Sequence, residues 1–114
     1  MPFLEHTGSI AVAGGNASTT FKHPVPAQKV KVKRITVNFA SAGQSFAMLR
    51  GYFVGAGTAL TGAIPLGVSF CTVQYRMTGF TCDCVWPIDS TLTVLAVCQA
   101  ISAYHMYVEY EIVG

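Results

Sequence analysis

The stretch Lys29–Phe39 reads KVKVKRITVNF, and its parity changes halfway along. Lys29, Lys31 and Lys33 hold the odd positions and Val30 and Val32 the even ones. From Ile35 onward the apolar residues Ile35, Val37 and Phe39 hold the odd positions. Side chains alternate across a strand, so a regular strand with this pattern would bury one face and then the other. One extra residue restores a single buried face. The sequence therefore predicts a β-bulge at Lys33-Arg34, inside one long strand over 29–39; the alternative is a strand that ends near Lys33 and a new one that begins there. Bulged strands bend and twist, and they are common at the corners of β-sandwiches.

The charges of this strand have a counterpart at the end of the chain. Tyr104, Met106, Val108, Tyr110 and Ile112 share one parity, and His105, Tyr107, Glu109 and Glu111 share the other. That is an apolar-in, polar-out strand over Tyr104–Val113. Glu109 and Glu111 repeat the two-residue spacing of the lysines, so the two strands can lie side by side with opposite charges facing. Such cross-strand pairs contribute about 0.2–1 kcal/mol each and fix register more than stability. The basic row Lys29, Lys31, Lys33 and Arg34 is also a candidate docking strip for an acidic partner or a nucleic-acid backbone. Its plainer reading is a solvated face, or edge charges that block sheet-to-sheet aggregation.

The rest of the chain reads as strands too. Val, Ile and Thr number 30, whereas Glu, Gln, Lys and Arg number 14. β-Branched side chains suit a pleated surface, and the scarce long polar ones are the usual helix formers. Strand-like pieces fall at Ser9–Ala13, Thr19–Lys22, Phe46–Val54, Gly67–Met77, Phe80–Trp86 and Leu92–Gln99. Between them lie Gly14-Gly15-Asn16, His23-Pro24-Val25-Pro26, the small-residue run Gly55–Pro65 and the turn Pro87–Ser90. Thr78-Gly79 reads as a tight hairpin turn, and Ala40–Leu49 has room for one helical turn. Leu92–Cys98, LTVLAVC, is apolar on both parities, which marks a strand covered on both faces. The expected fold is all-β: a single-domain antiparallel β-sandwich over 1–114, jelly-roll-like, of about seven or eight strands. Residues 1–8, MPFLEHTG, are expected as an extended N-terminal arm.

Composition narrows the function classes. Hydrophobic residues make up 52% of the chain and charged residues 11%, against roughly 25% charged in ordinary soluble domains. One small core does not use that much apolar surface, so part of it is expected against another subunit. A net charge of +2 argues against wholesale nucleic-acid binding. Gly51–Tyr75 is uncharged and long enough to span a bilayer, but five glycines, Pro65 and three threonines break it up. Two strands and a loop are expected there, not a membrane helix. The start MPFLEHTGSI has no basic n-region ahead of an apolar run, so no secretory signal is expected.

The residues able to carry chemistry do not form a motif. Cys82 and Cys84 lie on one strand face, and if Thr78-Gly79 is the turn then Tyr75, Val73 and Cys71 face Cys82, Cys84 and Trp86 in an apolar slab. The spacing is wrong for zinc. Thiols are the expected state of Cys71, Cys82, Cys84 and Cys98, with a disulfide from Cys98 as the alternative. His6, His23 and His105 are scattered, no nucleophile motif is present, and Gly55 and Gly57 lack the lysine and helix of a phosphate loop. No enzyme, metal or cofactor is expected. Among the aromatics, Tyr52, Tyr107 and Trp86 are the candidate interface anchors. A tyrosine-lined carbohydrate-binding or adhesin-like face is the alternative.

The whole pattern of short strands, low charge, small loops and an extended start resembles the small β-sandwich and jelly-roll proteins of virions, the phage decoration and minor capsid proteins. That resemblance implies a structural protein that works as a symmetric homo-oligomer, a trimer by preference. It would contact other capsid proteins and reside in the virion after assembly in the host cytoplasm, with no membrane or nucleic-acid partner.

Overall fold

A computed structural model describes residues 2–10, 15–40, 46–55, 63–72, 77–99 and 102–114. Eight strands follow one another: β1 (Phe3–Ile10), β2 (Asn16–Lys22), β3 (Val30–Phe39), β4 (Phe46–Gly55), β5 (Ile64–Thr72), β6 (Met77–Val85), β7 (Ser90–Cys98) and β8 (Ser102–Ile112). They form two antiparallel four-stranded sheets, ordered β1-β8-β3-β6 and β2-β7-β4-β5. First pairs with last, second with seventh, third with sixth and fourth with fifth. A long hairpin rolled up on itself gives this order, which is the jelly roll.

The parity change in β3 is a bulge at the expected place. Between Val32 and Arg34, β3 advances two residues while β8 advances one, from Tyr110 to Glu109. On its other side β6 advances three, from Cys84 to Thr81. The irregularity thus widens across three strands, and Asp83 takes a φ of 51° to accommodate it, a left-handed conformation that Asp adopts more readily than most residues. The result is one buried face: Val30, Val32, Ile35, Val37 and Phe39 all point inward and are fully buried. β3 stays in its own sheet throughout.

The core lies between the sheets. β7 and β4 contribute Leu92, Val94, Ala96, Leu49 and Phe53, and β8 contributes Tyr104, Met106 and Val108, the inward parity read from the last strand. Burying side chains of this size contributes about 1.5–3 kcal/mol each before entropy. Gly67 leaves room for the core: a Cβ there would lie 2.8 Å from the Phe80 ring, which reaches across from the other sheet. Thr19 and Tyr104 share a 3.5 Å hydroxyl contact between the sheets on one side of the sandwich. On the other side the Ser69 and Thr78 hydroxyls join the sheets.

Three expectations need correction. The segment expected as an arm is β1 instead, paired with β8 from Phe3 to Ile10 without interruption. Thr78-Gly79 is not a turn; both residues lie inside β6, opposite Val37 and Thr36. The glycine is required by closeness, since a Cβ at Gly79 would meet the Ile35 carbonyl oxygen at 2.7 Å. β5 and β6 therefore belong to different sheets, and Cys71 lies beside Ala47 of β4, not opposite Trp86. The residues expected to link or face these strands, Val73 and Tyr75, fall outside the described residues, as do most of Gly55–Pro65 and Ser41–Ser45. The Pro87–Ser90 turn is present and is closed by the Ser90 N–H donating to the Pro87 carbonyl at 3.1 Å. No helix among the described residues is long and apolar enough to cross a membrane.

Candidate interaction surfaces

The outer face of the first sheet carries the charged row. Lys31 lies opposite Glu111 and Arg34 opposite Glu109, as the matched spacing predicts. Lys33, the bulged residue, pairs with Asp83 and lies 3.7 Å from Glu111. The hydrogen bond to Asp83 raises the Lys33 pKa, and the same bond from Lys33 holds the Asp83 carboxyl below its ordinary value. Arg34 donates from Nε to the Thr36 hydroxyl at 3.1 Å. Lys29 lies just outside the strand, its backbone joined to Val113 and Gly114. Three of the four residues of the proposed strip thus sit among Asp83, Glu109 and Glu111, and the face is nearly balanced in charge.

The outer face of the second sheet is different. Its strand register places Val97, Met48 and Phe70 in one row across β7, β4 and β5. Leu95, Arg50 and Val68 form the next row. Phe70 is 58% exposed and Val68 44%. Arg50 Nη1 donates to the Tyr52 hydroxyl at 3.4 Å, which leans the one cation of these two rows toward the third. The sequence signalled this surface only through β7, whose double apolar parity marks a strand in need of cover; Met48, Val68 and Phe70 were not singled out.

The aromatic candidates separate. Tyr52 is half-buried on the outer face of the second sheet. Tyr107 is half-buried on the outer face of the first, edge-on to Phe3 at 6.4 Å and 4.5 Å from the His105 ring. Trp86 is no interface residue: it is 1% exposed, packs 5.4 Å from His23 and 6.0 Å from Phe53, and donates its indole N–H to the Ser90 carbonyl at 3.2 Å. It continues the inward parity of Cys82 and Cys84, and the Pro87–Ser90 turn supplies the acceptor its N–H requires on burial. Tyr104 faces the core. The tyrosines therefore do not line one sugar-binding platform among the described residues.

All four cysteines are thiols, Cys71 and Cys98 buried and Cys82 and Cys84 half-buried. Burial, and to a lesser degree neighbouring Cys84, pushes the Cys82 thiol up to about 11, which makes it a poor nucleophile at neutral pH. A depression of about 660 Å³ includes His23, Asp89 and Ser90 in its lining. These three do not form a relay. Both His23 ring nitrogens are buried without a hydrogen-bond partner among the described residues, and the Ser90 hydroxyl donates to the Pro87 carbonyl at 2.9 Å. Among the described residues no three His, Cys, Asp or Glu side chains converge as metal ligands would.

The strand order makes this chain a jelly-roll β-sandwich. Solved structures share the fold. The Yersinia pseudotuberculosis-derived mitogen superposes with a TM-score of 0.60 at 9% identity, over 94% of this chain and 84% of that one. PirA gives 0.50 at 12% identity, over 94% and 93%. The structure of tomato aspermy virus gives 0.51 at 12% identity, over 98% and 79%. At these identities the likeness is one of fold alone, and at that level the resemblance to virion β-sandwiches holds. No family model matches the sequence, and no curated protein does.

Proposed function

We propose that the protein is a structural virion protein, a capsid decoration or minor capsid subunit, that acts by oligomeric assembly and not by catalysis. The observation that supports this most is the apolar outer face on which Val68 and Phe70 are exposed and Met48, Leu95 and Val97 half-buried. The molecule measures 43 × 30 × 19 Å, so its broad face exceeds the roughly 800 Å² per partner that a stable interface occupies. Apolar burial there contributes roughly 25 cal/mol per Å², part of which offsets lost translational and rotational freedom. The jelly roll shared with the tomato aspermy virus structure is compatible with this role. The expected assembly is a homo-oligomer, a trimer by preference, in contact with other capsid proteins in the virion. It needs no cofactor, membrane or nucleic acid.

Side-chain footprinting tests the reading. Phe70 and Met77 are almost equally exposed, at 58% and 59%, on the outer faces of opposite sheets. Hydroxyl-radical oxidation of assembled protein, compared with dilute protein, is expected to spare Phe70 and to leave Met77 reactive. Equal labelling of Phe70 in both states overturns the reading. Glycan-array binding by the single chain would favour the carbohydrate-binding alternative.

A further inference from the structure

The sandwich has four edge strands, and they are not equally guarded. β6 is interrupted by the bulge at Asp83. β5 carries Pro65 and a register shift opposite Gly51/Tyr52. β2 ends in Lys22 and runs into His23-Pro24-Val25-Pro26. These are the devices by which sheets prevent edge-to-edge pairing. β1 turns neither a proline nor a bulge to its open edge: Pro2, just before it, belongs to the side bonded to β8, and Glu5 is its one charged residue. FLEHTGSI contains no proline, lysine or bulge, and its eight residues pair with β8 in unbroken register.

The direction of its free backbone groups follows from one bond. The Tyr110 N–H donates to the Pro2 carbonyl at 3.0 Å, so Pro2 and Tyr110 are a hydrogen-bonded pair. In an antiparallel ladder such pairs alternate. Leu4, His6, Gly8 and Ile10 therefore bond to β8, and Phe3, Glu5, Thr7 and Ser9 direct their N–H and C=O groups to the open edge. Among the described residues nothing pairs with those groups.

We infer that β1 pairs antiparallel with the β1 of a second copy of this chain, about a twofold axis at His6. This joins the two first sheets into one eight-stranded sheet. The register is set by complementarity. With His6 facing the partner's His6, Phe3 lies opposite the partner's Ser9 and Glu5 opposite the partner's Thr7. All four outward residues of each strand then exchange both hydrogen bonds. A shift of two residues one way sets Glu5 against the partner's Glu5, a repulsive pair. A shift the other way leaves Phe3 without a partner inside the strand. Glu5 keeps its own contact to His105, 3.9 Å away. The inference rests on the strand ladder and not on the virion reading, and it adds a twofold contact distinct from the apolar face.

Two variants test it in a Phe70→Glu background, where assembly through the second sheet is blocked. Thr7→Pro removes an outward N–H and crowds the edge but leaves the bonds to β8 intact. Sedimentation is expected to show two chains for Phe70→Glu and one for Phe70→Glu/Thr7→Pro, with both chains folded by circular dichroism. His6 and the partner's His6 form a non-hydrogen-bonded pair, with Cα atoms about 4.5 Å apart, within disulfide range. His6→Cys is therefore expected to cross-link into dimers on oxidation, while the unsubstituted chain and Lys31→Cys do not. An unchanged mass for the folded proline variant, or a folded His6→Cys chain that stays uncross-linked, overturns the inference. If Phe70→Glu leaves the wild-type mass unchanged, the apolar-face reading fails while cross-linking at His6 still sustains the edge.

Discussion

The two sheets turn opposite kinds of surface outward. The first shows Lys31, Lys33 and Arg34 interleaved with Asp83, Glu109 and Glu111. The second shows Met48, Val68, Phe70, Leu95 and Val97 around Arg50 across β7, β4 and β5, with the polar Ser18, Thr20 and Lys22 kept to the β2 edge. Both sheets bury an equivalent inner face, so folding alone does not explain the contrast. A charged outer face satisfies itself with water and cross-strand pairs. An apolar one remains costly to hydrate until something covers it. The lesson is that stability and association are written on different faces of the same strands, and substitutions can separate them.

The largest effect is expected from the shared inner face, which calibrates the rest. Val108→Asp puts a carboxylate into a fully buried site with no partner. It is expected to remove more than about 4 kcal/mol and leave no cooperative melt by circular dichroism. A variant that melts at the wild-type temperature would show that β8 does not face inward as described.

Next comes the outer face of the second sheet. Phe70→Glu or Leu95→Glu is expected to weaken association at least a hundredfold, about 2.7 kcal/mol, with the melt of the separated chain nearly unchanged. Equal loss of folding stability would make this face part of the core and erase the contrast.

The smallest effect is expected on the charged face. Replacing Lys31 and Lys33 together with Ser is expected to leave the melting temperature at neutral pH almost unchanged, because exposed pairs are screened by water, and to leave association unchanged. Its pH dependence is informative. Lys33 lowers the Asp83 pKa, so the pair stabilises the fold above the ordinary carboxylate pKa of about 4. That contribution disappears as pH falls through the depressed Asp83 value. The double variant should therefore lose less stability than the wild type between neutral pH and strong acid, as followed by thermal melts across that range.

How much of this was legible in the sequence depends on how local the signal was. The bulge at Lys33-Arg34 and the inward face of β8 are period-two patterns within one strand, and the lysine–glutamate match joins two such patterns. All three are plain in the residues. β1 was missed because Glu5-His6-Thr7-Gly8 lacks the apolar alternation of a buried strand; as an edge it takes its place from the ladder to β8. Thr78-Gly79 imitates a turn, and only the nearness of the Ile35 carbonyl shows why a glycine is needed mid-strand. The apolar outer face takes one residue from each of three strands at every level, so no single stretch contains it. Trp86 looked like an anchor for a partner because the sequence does not reveal the Ser90 carbonyl that its indole N–H finds inside the chain.

The most direct test of the central claim is the mass of the Thr7→Pro chain by sedimentation at micromolar concentration, with the β1 edge silenced. The account predicts a multiple of the 12.1 kDa chain, reduced to a single chain when Phe70→Glu is added. A folded Thr7→Pro protein that sediments as one 12.1 kDa chain would contradict it.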